Sequence, residues 1–203
     1  MLKLIVLVIF SYFLGSFPSA YLAGKLKKGI DIRKKGSGNA GATNVLIVVG
    51  PIFAILVYVV DLLKGLIPVL LAREYFGTDL SMGLAGMAAI LGHDFSVFLR
   101  FSGGKGVATT TGALFGINSA VMTILIFAWI IFVALTNYFI LSSLICMLFI
   151  PISMYFFKLS NTFIIFGVLY LFVGLFTHRL DIVKIFKGQE PKALSSVKKF
   201  FRK

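Results

Sequence analysis

The chain has 203 residues, 59% of them hydrophobic and 13% charged, with a mean hydropathy of +1.02. A water-soluble core of this size needs far less hydrocarbon, so the composition excludes a soluble globular domain and marks an integral membrane protein. The formal charge of +13 points to anionic lipid and anionic substrates rather than nucleic acid, because the Lys and Arg residues flank apolar spans instead of covering a polar face.

The first predicted span, Leu2 to Gly24, is followed directly by the basic stretch Lys25 to Lys35. Cations at that end place it in the cytoplasm and the N-terminus outside, and they disfavour a cleaved signal peptide. A second span is predicted over Val45 to Ala72, and a third, Leu80 to Leu99, returns to Arg100 and Lys105. Tyr138 to Phe157 and Thr162 to Thr177 are read as the last two spans, ahead of a basic tail that begins at His178.

The apolar stretch from Val107 to Thr136 is too short for two full spans at about 20 residues each, so Gly106 to Ala134 is predicted as a short helical hairpin turning near Gly116 to Ser119. The expected fold is therefore all-α: a polytopic membrane bundle of seven helical segments, two of them short, forming a single domain over residues 1–203. In this orientation all but Lys3, Lys64, Arg73 and Lys158 of the 20 Lys and Arg residues fall on the cytoplasmic side. The tail places Val197, Phe200 and Phe201 among cations, a pattern suited to an acidic leaflet.

Two polar, glycine-rich segments interrupt this hydrocarbon: KKGSGNAGATN at Lys34 to Asn44 and FSGGKGVATTTG at Phe101 to Gly112. Glycines let backbone N–H groups approach a phosphate closely, and Ser37, Asn39, Thr43 and Asn44 add side-chain donors. Ser102, Gly103, Gly104 and Lys105 are expected to offer further backbone donors and a compact cation. Two anion cradles on one membrane face suggest two phosphate-bearing groups. The first segment contains G-x-G-x-x-G but lacks the preceding strand of a dinucleotide site; the second is not a Walker A loop, since Gly106 follows Lys105 where Ser or Thr belongs.

Other polar residues allow more than one reading. Asp61 and Lys64 lie three apart and share a helix side, either as a structural ion pair or as functional charges. His93, near the second segment, is a packed imidazole or a base. Asn137, Tyr138, Ser142 and Ser143 sit at the start of one span, and His178 and Arg179, closing the last, are membrane anchors or anion ligands. The lone Cys146 excludes an internal disulfide, no His or Cys pair has metal-ligand spacing, and no G-x-S-x-G elbow supports a serine hydrolase.

The motifs GSFPSAYLAGKL (Gly15 to Leu26), GSGNAGATNVL (Gly36 to Leu46), DLLKG (Asp61 to Gly65), GHDFSVFLRFSGGKGVAT (Gly92 to Thr109), NYFILSS (Asn137 to Ser143) and HRLDIVKIFKGQE (His178 to Glu190) resemble the bacterial acyl-phosphate:glycerol-3-phosphate acyltransferases, the PlsY family. The resemblance implies a seven-helix enzyme of the bacterial inner membrane that acylates the 1-hydroxyl of sn-glycerol 3-phosphate from acyl phosphate near the cytoplasmic face. That reaction opens phospholipid synthesis and needs neither cofactor nor metal; membrane lipids are the remaining partners, and a monomer is expected.

By the same resemblance, His93, Lys105, Asn39 and Ser142 are expected to be catalytic. Ser37, Gly38, Gly41, Ala42, Thr43, Asn44, Ser102, Gly103, Gly104, Asn137, His178 and Arg179 are expected to bind substrate. The hydroxyl proton passes either to His93 or to a substrate phosphate oxygen. The chain departs from the family pattern at Ile47, where Arg is usual, at Ile140, where Ser is usual, and at Asp181, where Asn is usual. A diverged paralogue that binds without transfer and an organic-phosphate transporter are the competing functions.

Overall fold

The computed structural model describes residues 1–190 together with Lys192 and Ala193; the amphipathic tail expected around Val197 to Phe201 lies outside them. These residues form α-helices and short 3-10 turns, with no strand among the described residues. Five helical stretches are long and apolar enough to cross a membrane, or six if a bent C-terminal pair counts as one span. Within the single domain expected from sequence, the chain divides into two compact units, residues 1–117 and residues from 118 onward.

The first unit holds α1 (Leu2–Ser16), α2 (Ser19–Lys28), α3 (Ala42–Val48), α4 (Pro51–Phe76), α5 (Asp79–Asp94) and α6 (Val107–Ile117). The predicted first span is broken in two. Pro18 has no N–H to continue the helical ladder, so α1 ends at Ser16 and α2 restarts at Ser19. A break inside a membrane exposes backbone groups that lipid does not satisfy. The Asp61–Lys64 pair of α4 meets them: Lys64 Nζ donates to Phe17 O at the end of α1 (2.5 Å), and Ser19 Oγ at the start of α2 donates to Asp61 Oδ1 (2.5 Å). The cation thus faces a helix C-terminus and the carboxylate a helix N-terminus, the signs that the two dipoles favour.

The predicted second span is also interrupted. Gly50 adopts φ +138°, Pro51 occupies the first turn of α4, and α3 stands apart as a short helix. In the hairpin region the turn falls at Asn118, within the expected bounds. Only one arm is short, however. Helix α6 has 11 residues, about 16 Å at 1.5 Å each, whereas α7 (Ser119–Thr136) is long enough to cross.

Small residues set the closest helix contacts. A Cβ at Gly92 of α5 would strike Tyr12 O of α1. A Cβ at Gly65 of α4 would strike Thr109 O of α6, and one at Gly112 would strike Leu62 O. Such close approach is how membrane helices gain packing when lipid offers no hydrophobic drive. Gly112→Val is therefore expected to destabilise the protein by about 1–3 kcal/mol through overpacking. A lower Tm in detergent checks this; an unchanged Tm contradicts the α4–α6 packing.

Contacts along the α4–α6 pair run in register, Gly65 beside Thr109, Val69 beside Gly116, and Arg73 donating to Gly116 O and Ile117 O. The two helices are thus parallel, and α6 begins midway along α4, at the level of Asp61 and Lys64. The outer faces of α1 and α4 expose Ile5, Ile9, Phe13, Ile52, Ile55 and Leu63, as contact with lipid tails requires.

The second unit contains α7, α8 (Phe139–Phe156), α9 (Asn161–Thr177) and α10 (Arg179–Phe186), the last bent 64° from α9. Gly167 and Gly174 of α9 receive the sulfurs of Met154 and Met147 from α8. Glu190 closes back onto the start of α8, where its Oε1 accepts from Ile140 N (2.8 Å) and Leu141 N (3.4 Å). Burial pushes that carboxyl above its ordinary pKa, and the two amides and nearby Asp181 modify the shift in opposite directions.

Candidate active site

The first glycine-rich loop is built around one side chain. Asn44 is fully buried; its Nδ2 is shared among Ile32 O, Lys35 O and Asn39 O, each at 3.0 Å, and its Oδ1 accepts from Ser37 N at 2.9 Å. Gly36 and Gly38 carry φ of +60° and +78°, which lets the chain curl about this amide. Asn44, expected to bind substrate, shapes the loop, with its amide nitrogen and oxygen both engaged within it.

The loop's outer side stays open. Ser37 and Thr43 are exposed and Asn39 is half-buried. Among the described residues, no hydrogen bond engages the amides of Ala40, Gly41, Ala42 or Thr43. Four successive N–H groups with two hydroxyls and an amide beside them form a concavity suited to an anion. Gly38 and Gly41 contribute backbone shape, and a Cβ at Gly41 would lie 2.9 Å from Asn39 Nδ2.

The second loop differs from the expectation of open amides. Ser102 N donates to Leu99 O (3.2 Å), Gly103 N to Asp94 O (3.1 Å) and Gly104 N to His93 O (3.0 Å). These three amides close off the end of α5 instead of forming a cradle. The glycines serve close packing: a Cβ at Gly103 would strike His93 O, and one at Gly104 would strike His93 Nε2. Lys105 is half-buried at the end of this loop, immediately before α6. The buried Asp94 carboxylate, with no hydrogen-bond partner among the described residues, lies 2.8 Å from where a Gly106 Cβ would stand.

His93 is 7% exposed, with Nδ1 3.7 Å from Asp61 Oδ1 and Nε2 against Gly104. Lys64 directs its three protons to Phe17 O, Ser19 Oγ (3.1 Å) and Asp61 Oδ1 (2.5 Å), so this cation is fully satisfied. Together Ser19, Asp61, Lys64 and His93 form a buried polar network behind the second loop. Beside it lies a small cleft lined by Ser16, Ser19, Lys64, His93 and Ser96, with Ala40 of the first loop and Gly104 of the second in its wall. Both loops therefore border one cavity. Ser16, Ser19 and Ser96 were not singled out from sequence, although the hydroxyls of Ser16 and Ser19 flanking Pro18 in an apolar run carry a signal.

The remaining predicted residues belong to the second unit. Ser142, expected to be catalytic, is fully buried and donates to Tyr138 O (2.7 Å), which places its hydroxyl in the first turn of α8. Asn137 caps α7 at φ +61°, and its carbonyl accepts from Ala193 N (2.7 Å). His178 is buried with Nδ1 2.9 Å from Gly174 O. Arg179 is exposed and stacks 4.3 Å over Phe176.

The sequence matches the family model for glycerol-3-phosphate acyltransferase over residues 5–188. It is 38% identical to the glycerol-3-phosphate acyltransferase of Thermotoga petrophila over 187 residues, covering 91% of this chain and 93% of that one. The enzyme of the same name from Prochlorococcus marinus (strain NATL1A) is 38% identical over 192 residues, 93% and 97% of the two chains. Among solved structures, the glycerol 3-phosphate form of PlsY, an integral membrane glycerol 3-phosphate acyltransferase, superimposes with a TM-score of 0.90 at 34% identity, covering 94% of this chain and 95% of that one. The lysophosphatidic acid form gives 0.89 at 32%, covering 96% and 98%. A helical membrane fold shared across nearly the whole length, with the two glycine-rich loops on one cleft, leaves one assignment: this chain belongs to the glycerol-3-phosphate acyltransferase family.

Proposed function

We propose that this chain moves an acyl group from acyl phosphate to the 1-hydroxyl of sn-glycerol 3-phosphate, releasing 1-acyl-sn-glycerol 3-phosphate and inorganic phosphate. The observation that carries the reading is the shared cleft: Ala40, beside the open amides of the first loop, and Gly104, beside Lys105, line the same cavity. That arrangement supplies anion-binding groups where a lipid-borne donor and a polar acceptor can meet. The PlsY structures in glycerol 3-phosphate and lysophosphatidic acid forms support the acceptor and the product.

The chemistry needs little beyond placement. In acyl phosphate the carbonyl carbon already carries a good leaving group, so the acceptor oxygen forms the new ester bond as the carbon–oxygen bond to phosphate breaks. The hydroxyl proton leaves with the departing phosphate, which balances the step without a covalent enzyme intermediate. Holding both reactants in line supplies the rate, and cationic or amide donors stabilise charge on the phosphate as it leaves. We assign the phosphate grip to the Ala40–Thr43 amides, Ser37, Asn39 and Lys105; His178 and Arg179 of the second unit keep the anion-binding roles that the resemblance implies. His93, pressed between Asp61 and Gly104, serves the loop's position in this reading, and a substrate phosphate oxygen takes the proton.

The acyl tail lies along the apolar helices. The excess of Lys and Arg on one side supports an active site near the cytoplasmic face of a bacterial inner membrane, with the N-terminus outside, and a monomer suffices for the reaction.

Donor choice tests this directly. Purified protein in lipid should convert labelled glycerol 3-phosphate to labelled lysophosphatidate with acyl phosphate and not with an acyl thioester; the opposite preference overturns the donor assignment. Ile47, half-exposed on α3 at a position where the resemblance implies Arg, gives specific weight to a diverged paralogue that only binds. Ile47→Arg should raise kcat/KM about tenfold, the scale of one charged hydrogen bond, and absence of any gain removes that position from the phosphate site.

A further inference from the structure

Arg33 lies outside every residue expected to touch substrate, yet its guanidinium joins the two loops. Nη1 donates to Leu99 O at 2.8 Å, and the same carbonyl accepts from Ser102 N at 3.2 Å. Nε and Nη2 donate to Asp31 Oδ1 (3.0 Å) and Oδ2 (2.8 Å), a two-pronged pairing that fixes the plane of the guanidinium. Asp31 Oδ1 also accepts from Arg33 N at 3.0 Å and so caps the turn Ile32–Lys34 that leads into the first loop. Arg33 holds the Asp31 carboxyl below its ordinary pKa.

What Arg33 grips is a strained segment. Arg100 and Phe101, directly after Leu99, occupy left-handed backbone at φ +54° and +60° although neither is glycine. Such a conformation persists only where its surroundings hold it. Ile32 and Leu99, on either side of the guanidinium bond, are both buried in one apolar cluster. The bond adds direction to that packing: it fixes the carbonyl from which Ser102, and then Lys105, departs.

We infer that Arg33, oriented by Asp31, is a positioning residue that sets the distance between the first loop and the Lys105 segment, and through it the approach of the acceptor hydroxyl to the acyl carbon. The inference rests on the acyl-transfer reading above. Reactants displaced by about an ångström lose on the order of 100-fold in rate, which makes the spacing of two loops a kinetic quantity. Lys in place of Arg keeps the charge and loses the fork, so it cannot hold Asp31 and Leu99 together.

The test uses the full-length protein in lipid, with Arg33→Ala, Arg33→Lys and Asp31→Asn. Each variant is measured for kcat, for KM of both substrates, for glycerol 3-phosphate Kd and for Tm. Arg33→Ala should lower kcat about 10- to 100-fold while the glycerol 3-phosphate Kd stays within about twofold, with no recovery in Arg33→Lys. A folded Arg33→Ala protein with wild-type kcat, a loss confined to Kd, or full rescue by Lys overturns the inference. Should Arg33→Ala fail to fold, Asp31→Asn decides: lowered kcat supports the positioning role and unchanged kcat overturns it. Wild-type protein that makes no lysophosphatidate refutes the acyl-transfer reading itself, whereas active wild type with indifferent variants refutes only the role of Arg33.

Discussion

Asp61→Ala is expected to destabilise the protein by about 3–5 kcal/mol, because it leaves the Lys64 ammonium buried without its counter-charge. Lys64 is 3% exposed and bonds Asp61 at 2.5 Å, so water cannot take the carboxylate's place. The same change removes the acceptor of Ser19 Oγ and frees the start of α2. Lys64→Ala should be comparably damaging, since Phe17 O at the break between α1 and α2 then loses its donor. The double variant Asp61→Asn with Lys64→Met should recover part of the loss, as it buries no unpaired charge. Thermal unfolding in detergent measures all three. Single variants with wild-type Tm would show that the broken helix is held by something other than this pair.

Lys105→Ala should lower kcat/KM by about 100- to 1000-fold, the range found when a donor to a developing negative charge is removed, while Tm stays close to wild type. Lys105 is half-buried in a loop whose amides are held by α5 carbonyls, so the loop keeps its shape without the ammonium. Lys105→Arg should restore only part of the activity, because a longer planar fork places its charge differently. Exposed Lys187, just after α10 and outside every expected substrate contact, is the comparison: its change to Ala should leave kcat/KM within about twofold. Equal losses at Lys105 and Lys187 would mean that net charge, not a particular ammonium, drives substrate binding.

Run length and cation placement made the spans legible, and Asn118 falls where the hairpin was expected to turn. The breaks were less legible. Leu2 to Gly24 reads as one continuous apolar run, and its interruption at Pro18 depends on partners from Asp61 and Lys64, more than forty positions away in the chain. Periodicity reports a helix's own pattern and carries nothing about such long-range satisfaction of backbone groups.

The chemistry was similarly divided. Glycine, hydroxyl and amide clustering located both loops, and in the first the amides from Ala40 to Thr43 are open. In the second, the same composition serves a different end: Gly103 and Gly104 are small because His93 and Asp94 press against them. Close packing and phosphate approach both select glycine, so a motif cannot separate them. Asn44 illustrates the same limit. An amide in a polar loop reads as a ligand, and only its four internal bonds reveal it as the loop's frame.

The central claim is that these loops bring two phosphate-bearing reactants together for direct transfer. The most direct measurement follows purified protein in sealed vesicles, with acyl phosphate in the bilayer and labelled glycerol 3-phosphate in the water, and counts labelled lysophosphatidate against phosphate released. The account predicts one product molecule for each phosphate, and no phosphate release when glycerol 3-phosphate is omitted. Label that binds or crosses the bilayer without becoming lipid, or phosphate released without product, would contradict it.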